Sequence, residues 1–113
     1  VINVLSVAAL ITPAYSGVYA ATKAGLKALT EVMAQEWVPW NIRVNALLPG
    51  FTDTKIAAAL KADPKMQDYM NNNLALKRMA QPEEMVGAVL YMVSDEGSYF
   101  TGQGMVVDGG AII

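Results

Sequence analysis

Three short apolar runs, each too far from the next to be joined by a hairpin, constrain this chain more than anything else in it. Val1-Ile2-Asn3-Val4-Leu5 is nearly continuous and rich in β-branched residues, as a parallel strand covered on both faces requires. Ile42-Arg43-Val44-Asn45-Ala46-Leu47-Leu48 reads as a second strand closed by Pro49-Gly50, and Gly104-Met105-Val106-Val107-Asp108 as a third closed by Gly109-Gly110. Between the first two lie a loop with Pro13 and Gly17 as breakers and then Leu26, Leu29, Val32, Met33 and Trp37, whose spacing predicts a helix from Val18 to Trp37 that Pro39 stops. Between the second and third, Thr54 to Ala62 and Lys65 to Asn73 read as short helical pieces broken at Asp63-Pro64. Pro82 then takes a first helical position, with Glu83 and Glu84 complementing the helix dipole and Met85, Val86, Val89, Leu90 and Val93 forming the apolar face. The sum is β-α-β-α-β in one α/β domain, with parallel strands and right-handed crossovers, and with no repeat, low-complexity tract or linker.

Composition removes many chemistries. With no Cys and no His, the chain has no thiol nucleophile, no Ser-His-Asp triad, no zinc finger and no His-ligated metal, and no metal site is expected. Proton transfer falls to Tyr, Lys, Asp, Glu or water. Eight basic residues stand against ten acidic ones and never gather into a run, which argues against a nucleic-acid partner. Residues 1–22 carry no charge, but they lack the basic start of a signal peptide, and Asn3, Ser6, Thr12, Pro13, Ser16 and Gly17 interrupt any membrane span. No membrane partner is expected, and the location is expected to be cytoplasmic. The chain opens on Val1 inside a strand, so we expect either a processed start or a piece of something longer. A domain of this length buries roughly two-thirds of its unfolded surface and needs no disulfide or metal to hold it.

Open parallel sheets bind ligands at the carboxyl ends of their strands. Ser6 follows the first strand, and Pro49-Gly50-Phe51-Thr52-Asp53-Thr54 follows the second, so both face one edge. Tyr19 and Lys23 are four apart on the intervening helix and share a face. A free phenol titrates near pH 10, too high for base work at neutral pH, and a neighbouring positive charge favours its ionised form. Tyr-x-x-x-Lys is a weak signal alone. Its weight comes from the ordered set of Asn3-Val4-Leu5-Ser6, then Tyr19 and Lys23, then Arg43-Val44-Asn45-Ala46-Leu47-Leu48-Pro49-Gly50, and finally Thr101-Gly102-Gln103-Gly104-Met105-Val106-Val107-Asp108-Gly109-Gly110.

With that set, the sequence closely resembles the short-chain dehydrogenase/reductase family, over essentially all 113 residues. It resembles the carboxyl-terminal half of a member, and so implies the corresponding half of a Rossmann-like, doubly wound parallel sheet as a single partial domain. The resemblance implies an NAD(P)-dependent oxidoreductase acting on a small secondary alcohol or ketone. It makes Tyr19 the general acid/base, Ser6 the hydrogen-bond donor to the substrate oxygen, and Lys23 the residue that holds the nicotinamide ribose and favours the Tyr19 phenolate. Pro49, Gly50, Thr52 and Thr54 match the family's cofactor-side loop, with backbone groups near Thr52 on the carboxamide and the Thr54 hydroxyl near the pyrophosphate. Thr52 stands where the family more often has an aliphatic residue.

Other residues have simpler readings. Glu83 and Glu84 are helix-start charges, and Asp63 and Asp68 are solvated. Met66, Met70 and Met79 belong either to a mobile apolar lid or to simple packing. Trp37 and Trp40 are core or interface aromatics, and Asp108-Gly109-Gly110 is structural.

The glycine-rich phosphate loop is absent from this sequence, as are the family's Asn-Asn-Ala-Gly segment and the residue that separates NAD from NADP. The sequence therefore implies NAD or NADP without distinguishing them, and the 113 residues alone are expected to turn over little or nothing. Three strands of an expected seven leave the edge of Val1 to Leu5 open, which invites pairing with another chain. The helix from Val18 to Trp37 resembles the family's dimer helix. A homo-oligomer, dimer or tetramer, is expected. The alternatives are a non-catalytic assembly module, or a half-enzyme that needs a separate amino-terminal half.

Overall fold

The computed structural model describes residues 1–113. In chain order it contains β1 (Ile2–Val4), α1 (Gly17–Glu36), β2 (Asn45–Pro49), α2 (Ala58–Ala62), α3 (Pro64–Asn73), α4 (Val86–Val93) and β3 (Gly104–Val107). The strands form one parallel sheet in the order β1-β2-β3, with Val4 beside Leu47 and Leu48 beside Val106. The expected β-α-β-α-β order and parallel pairing are both present. Element ends differ. β2 begins at Asn45 rather than Ile42, because the Arg43 guanidinium turns to the carbonyls of Met92, Ser94 and Phe100 and its segment joins the sheet only afterwards. No helix starts at Thr54, where single turns precede α2, and α3 begins one residue earlier than expected, at Pro64, with the Asp63 carboxylate capping the Lys65 amide.

α1 covers one face of the sheet. Leu5, Ala46 and Leu48 form its buried floor, with Ala9 and Leu26 packed on them. The polar Asn3 is accommodated because its amide donates to the Thr30 hydroxyl at 2.9 Å, which in turn donates to the Leu26 carbonyl at 2.8 Å. α1 ends at Glu36, and a 3-10 turn over Val38–Trp40 leads to Asn41 in the left-handed region, which reverses the chain toward β2. Trp37 is half-buried there and Trp40 is exposed.

A second cluster closes the far end, where Met70, Leu74 and Met79 are buried against Phe51, Met66 and Ala111. Met70 and Met79 are packed in this cluster, and Met66 lies half-buried against it. The approach to α4 is a 3-10 turn over Pro82–Met85 and not yet α-helix. Its capping box fixes that geometry: Glu84 accepts the Gln81 amide at 2.7 Å and takes both arms of the Arg78 guanidinium, each at 2.7 Å. The Arg78 bonds, and then the Gln81 amide, hold the Glu84 carboxyl down from 4.5 to about 2. A carboxylate so depressed adds stability that is fully present above its unfolded value and is lost as pH falls toward the folded one. We expect the turn before α4 to loosen between pH 4.5 and about 2. In an acid titration followed by NMR, Glu84→Gln should remove that step, and an unchanged step would assign it elsewhere.

The interior is small. A compact monomer of this mass exposes about 6,000 Å² and buries roughly two-thirds of its unfolded surface. This chain exposes 7283 Å² and fully buries 15 of 113 residues. Its radius of gyration is 15.1 Å, against about 13 Å for a compact domain of similar length. The expectation of an ordinary self-sufficient core is therefore corrected. The sheet is one strand deep on either side of β2, so only the central strand is enclosed, and β3 as well as β1 lies at an open edge. Val4 on β1 is 56% exposed. No helix is long and apolar enough to cross a membrane.

Candidate functional site

β1 delivers the chain to Ser6, whose side chain caps the 3-10 turn over Val7–Ala9 by accepting the Ala8 amide at 3.2 Å. A serine oxygen used as acceptor keeps its own O–H free to donate. The loop that follows is exposed up to Tyr15, at φ 66°, and the Ser16 hydroxyl steadies it by donating to the Pro13 carbonyl at 2.7 Å. Tyr19 then lies in the first turn of α1, half exposed, with Lys23 one turn later. The Lys23 ammonium sits 5.7 Å from the centre of the Tyr19 ring and donates to the Val4 carbonyl at 3.1 Å.

The position of that carbonyl follows from the sheet. The Leu5 amide bonds Leu47 and the Val1 carbonyl accepts from Asn45, so residues 1, 3 and 5 face β2 while Val4 faces the open edge. Lys23 is thereby anchored at the carboxyl end of β1, next to Ser6. An ammonium has three N–H groups, so two remain for other acceptors.

β2 ends at Pro49, and Gly50 donates to the Val107 carbonyl at 2.9 Å. No side chain fits at Gly50: a Cβ there would lie 2.7 Å from the Asp108 Cα. Asp108 is itself held in place by accepting the Gly110 and Ile112 amides at 2.9 and 3.1 Å, the structural role expected of that turn. Beyond Gly50 the loop is zipped to Ala80, whose amide donates to the Phe51 carbonyl and whose carbonyl accepts the Asp53 amide. In such a parallel bridge the middle residue, Thr52, turns its own amide and carbonyl to the opposite side. Its hydroxyl donates back to the Gly50 carbonyl at 3.2 Å. Thr54 is exposed, and its carbonyl accepts the Ala57 amide.

Ser6, Tyr19 and Lys23 thus belong to the carboxyl end of β1, and Pro49, Gly50, Thr52 and Thr54 to that of its neighbour β2, on one sheet edge. A flat carboxamide can exchange two hydrogen bonds with the free amide and carbonyl of Thr52, and vicinal hydroxyls can take the spare Lys23 donors. These residues fit the nicotinamide end of a dinucleotide. Nothing here offers the glycine-rich turn at a helix N-terminus that its diphosphate would need.

Asp53, Asn45 and Arg43 stood within longer runs in the sequence reading, and none of them had a role of its own there. The Asp53 carboxylate binds the Lys61 ammonium and accepts from the Gln81 amide at 3.4 Å; the Lys61 bond first, then that of Gln81, lowers its pKa against an opposing desolvation. Asn45, fully buried in β2, donates to the Phe100 carbonyl at 2.7 Å and accepts the Gln103 amide at 3.1 Å. Arg43 gathers three carbonyls. A lone amide inside Val44-Asn45-Ala46-Leu47-Leu48 was a readable signal, since buried polar groups are nearly always bonded. Asp53 and Lys61 carried none.

A family model described as enoyl-(acyl carrier protein) reductase matches residues 1–111. The 3-oxoacyl-(acyl-carrier-protein) reductase of Thermotoga maritima is 38% identical over 113 residues, covering 100% of this chain and 45% of the relative. The dehydrogenase/reductase SDR family member 4 of Sus scrofa is 39% identical over 94 residues, covering 83% of this chain and 34% of the relative. Among solved structures, gluconate 5-dehydrogenase from Burkholderia cenocepacia in complex with NADP and tartrate superposes with a TM-score of 0.94 at 32% identity, over 97% of this chain and 43% of that one. A 4-hydroxyisoleucine dehydrogenase complexed with NADH gives 0.93 at 31%, over 98% and 46%. The chain thus spans less than half the length of these relatives.

Proposed function

The chain belongs to the short-chain dehydrogenase/reductase family, and from that premise we propose that it forms the substrate and nicotinamide side of an NAD(P)-dependent oxidoreductase site for a small secondary alcohol or ketone. The observation that carries this reading is the Lys23 ammonium, anchored on the Val4 carbonyl two residues before Ser6 and lying 5.7 Å from the centre of the Tyr19 ring. The 113 residues act as a single partial domain, the carboxyl-terminal half of a Rossmann-like fold. The neighbours that hold NADH or NADP support a nicotinamide cofactor, NAD or NADP.

A bound nicotinamide supplies or removes the hydride. The protein's part is placement and proton transfer. In ketone reduction the Ser6 hydroxyl donates a hydrogen bond to the substrate oxygen, polarising the carbonyl. The Tyr19 hydroxyl gives its proton to that oxygen as charge develops on it, and takes it back in alcohol oxidation. Lys23 stabilises the phenolate left behind and holds the ribose with its spare donors, a fixed positive charge aimed where negative charge appears. Thr52 presents its backbone amide and carbonyl to the carboxamide, and Gly50 lets the loop close against Asp108 beneath it. The exposed Thr54 hydroxyl would be the group available to a pyrophosphate there.

The isolated chain has no diphosphate cradle and should not turn over. The reading is tested with a chimera in which residues 1–111 replace the matching portion of the Burkholderia cenocepacia gluconate 5-dehydrogenase. Ketone-dependent NAD(P)H oxidation by the folded chimera is expected, and a folded but inert chimera would sink the assignment.

Assembly is favoured by a separate observation. The surface exposed beyond that of a compact monomer is about 1,300 Å², more than the roughly 800 Å² that each partner of a standard interface covers. Leu29 and Val32 on α1, with Val4 on the open edge, are among the exposed apolar residues. We expect a homo-oligomer, dimer or tetramer, by light scattering, and a clean monomer at micromolar concentration would exclude it.

A further inference from the structure

We propose that the Asp53–Lys61 ion pair is a latch holding α2 to the loop after β2, which makes Asp53 a positioning residue for α2. The role assigned to the loop rests on the reading of Thr52 given above; the latch itself does not.

Asp53 joins two parts of the molecule that are otherwise differently secured. Its backbone amide donates to the Ala80 carbonyl at 2.8 Å, tying it to the segment that enters the buried Met70, Leu74 and Met79 cluster. Its side chain reaches the other way, to the Lys61 ammonium in the last turn of α2. α2 has no buried residue and belongs to neither hydrophobic cluster. Ile56, just before it, is 96% exposed, and Leu60 within it is 41% exposed. A five-residue helix without an apolar anchor does not hold itself in place. Two side-chain bonds secure it: Lys61 to Asp53, and the Gln67 amide from α3 to the Lys61 carbonyl at 2.9 Å.

The second bond ties α2 only to the next helix. The first is the one that reaches the loop carrying Thr52 and Thr54. The Gln81 side-chain amide donates to the same Asp53 oxygen at 3.4 Å, and Glu84 holds the Gln81 backbone amide at 2.7 Å, so the carboxylate is also steadied from the α4 side. The pair is partly solvated, so its effect is local.

The test is amide hydrogen exchange on the 113-residue chain at neutral pH. Asp53→Asn and, separately, Lys61→Gln should each speed exchange in α2 about two- to fivefold while leaving the amides of Met70 to Leu74 unchanged. Asp53→Glu, which keeps the charge, should retain the protection. The exchanged pair Asp53→Lys with Lys61→Asp should recover most of it. Unchanged exchange in both single variants overturns the latch, as does a double variant no better protected than the singles. None of these readings involves cofactor or turnover. An inert chimera would therefore leave the latch standing, and a failed latch would leave the oxidoreductase reading untouched.

Discussion

Tyr19→Phe, made in the chimera, should lower kcat by at least two to four orders of magnitude, the span that a positioned acid or base contributes. The substitution removes one oxygen from a half-exposed side chain in the first turn of α1, where the ring has solvent on one side and the Lys23 ammonium 5.7 Å from its centre. The ring and its contact with the ammonium remain. Fold, assembly and cofactor KM should then stay near those of the parent, and the loss should fall on kcat alone, as for a group acting only in the transition state. Steady-state NAD(P)H oxidation with a secondary ketone, alongside light scattering, separates the outcomes. Turnover undiminished by the change would remove Tyr19 from the mechanism. A parallel loss of assembly would make it a packing residue.

Gly50→Ala should destabilise the chain by about 1–3 kcal/mol, the usual cost of forcing a methyl group into packed space. The added carbon would lie 2.7 Å from the Asp108 Cα and 2.8 Å from its Cβ, and neither atom is the free end of a flexible side chain. Asp108 has little freedom to retreat, since its carboxylate is held by the Gly110 and Ile112 amides. Either the loop after β2 lifts or β3 shifts, and both alter the placement of Thr52. Gly25→Ala is the control. Gly25 sits inside α1 with nothing within 4 Å of a new Cβ, and there the same change should stabilise by about 1 kcal/mol. Urea unfolding midpoints should move in opposite directions for the two variants. If they move together, the close approach at Gly50 is not limiting.

The sheet and the order of its elements were legible because they depend on neighbours in sequence. The runs Val1 to Leu5, Ile42 to Leu48 and Gly104 to Asp108 lie too far apart for hairpins, and the spacing of Leu26, Leu29, Val32 and Met33 marks α1 as a helix, although the side it lays on the sheet carries Leu26 and Thr30 and leaves Leu29 and Val32 exposed. Tyr19 and Lys23 could be placed together because four residues make one helical turn, and Ser6 could be joined to them because parallel strands bring their ends to one edge. Partners brought together only by the closing of the sheet were not legible. The anchoring of Lys23 follows from the outward turn of the Val4 carbonyl, set by the register of β1 on β2. Arg43 and Asn45 find Met92, Ser94, Phe100 and Gln103 only after β3 has closed on β2.

Asp53 and Lys61 are exposed charges in a polar stretch, indistinguishable in sequence from solvated ones until the loop is zipped to Ala80. Met70 and Met79 likewise read as lid or core until the far cluster formed around them. The elements, their order and the edge shared by Ser6, Tyr19 and Lys23 could be read directly from the residues, because periodicity and turn chemistry are local. Which charges pair, which glycines have no room for a side chain and how little of the chain is enclosed depend on where distant segments meet, and so emerge only in the folded molecule.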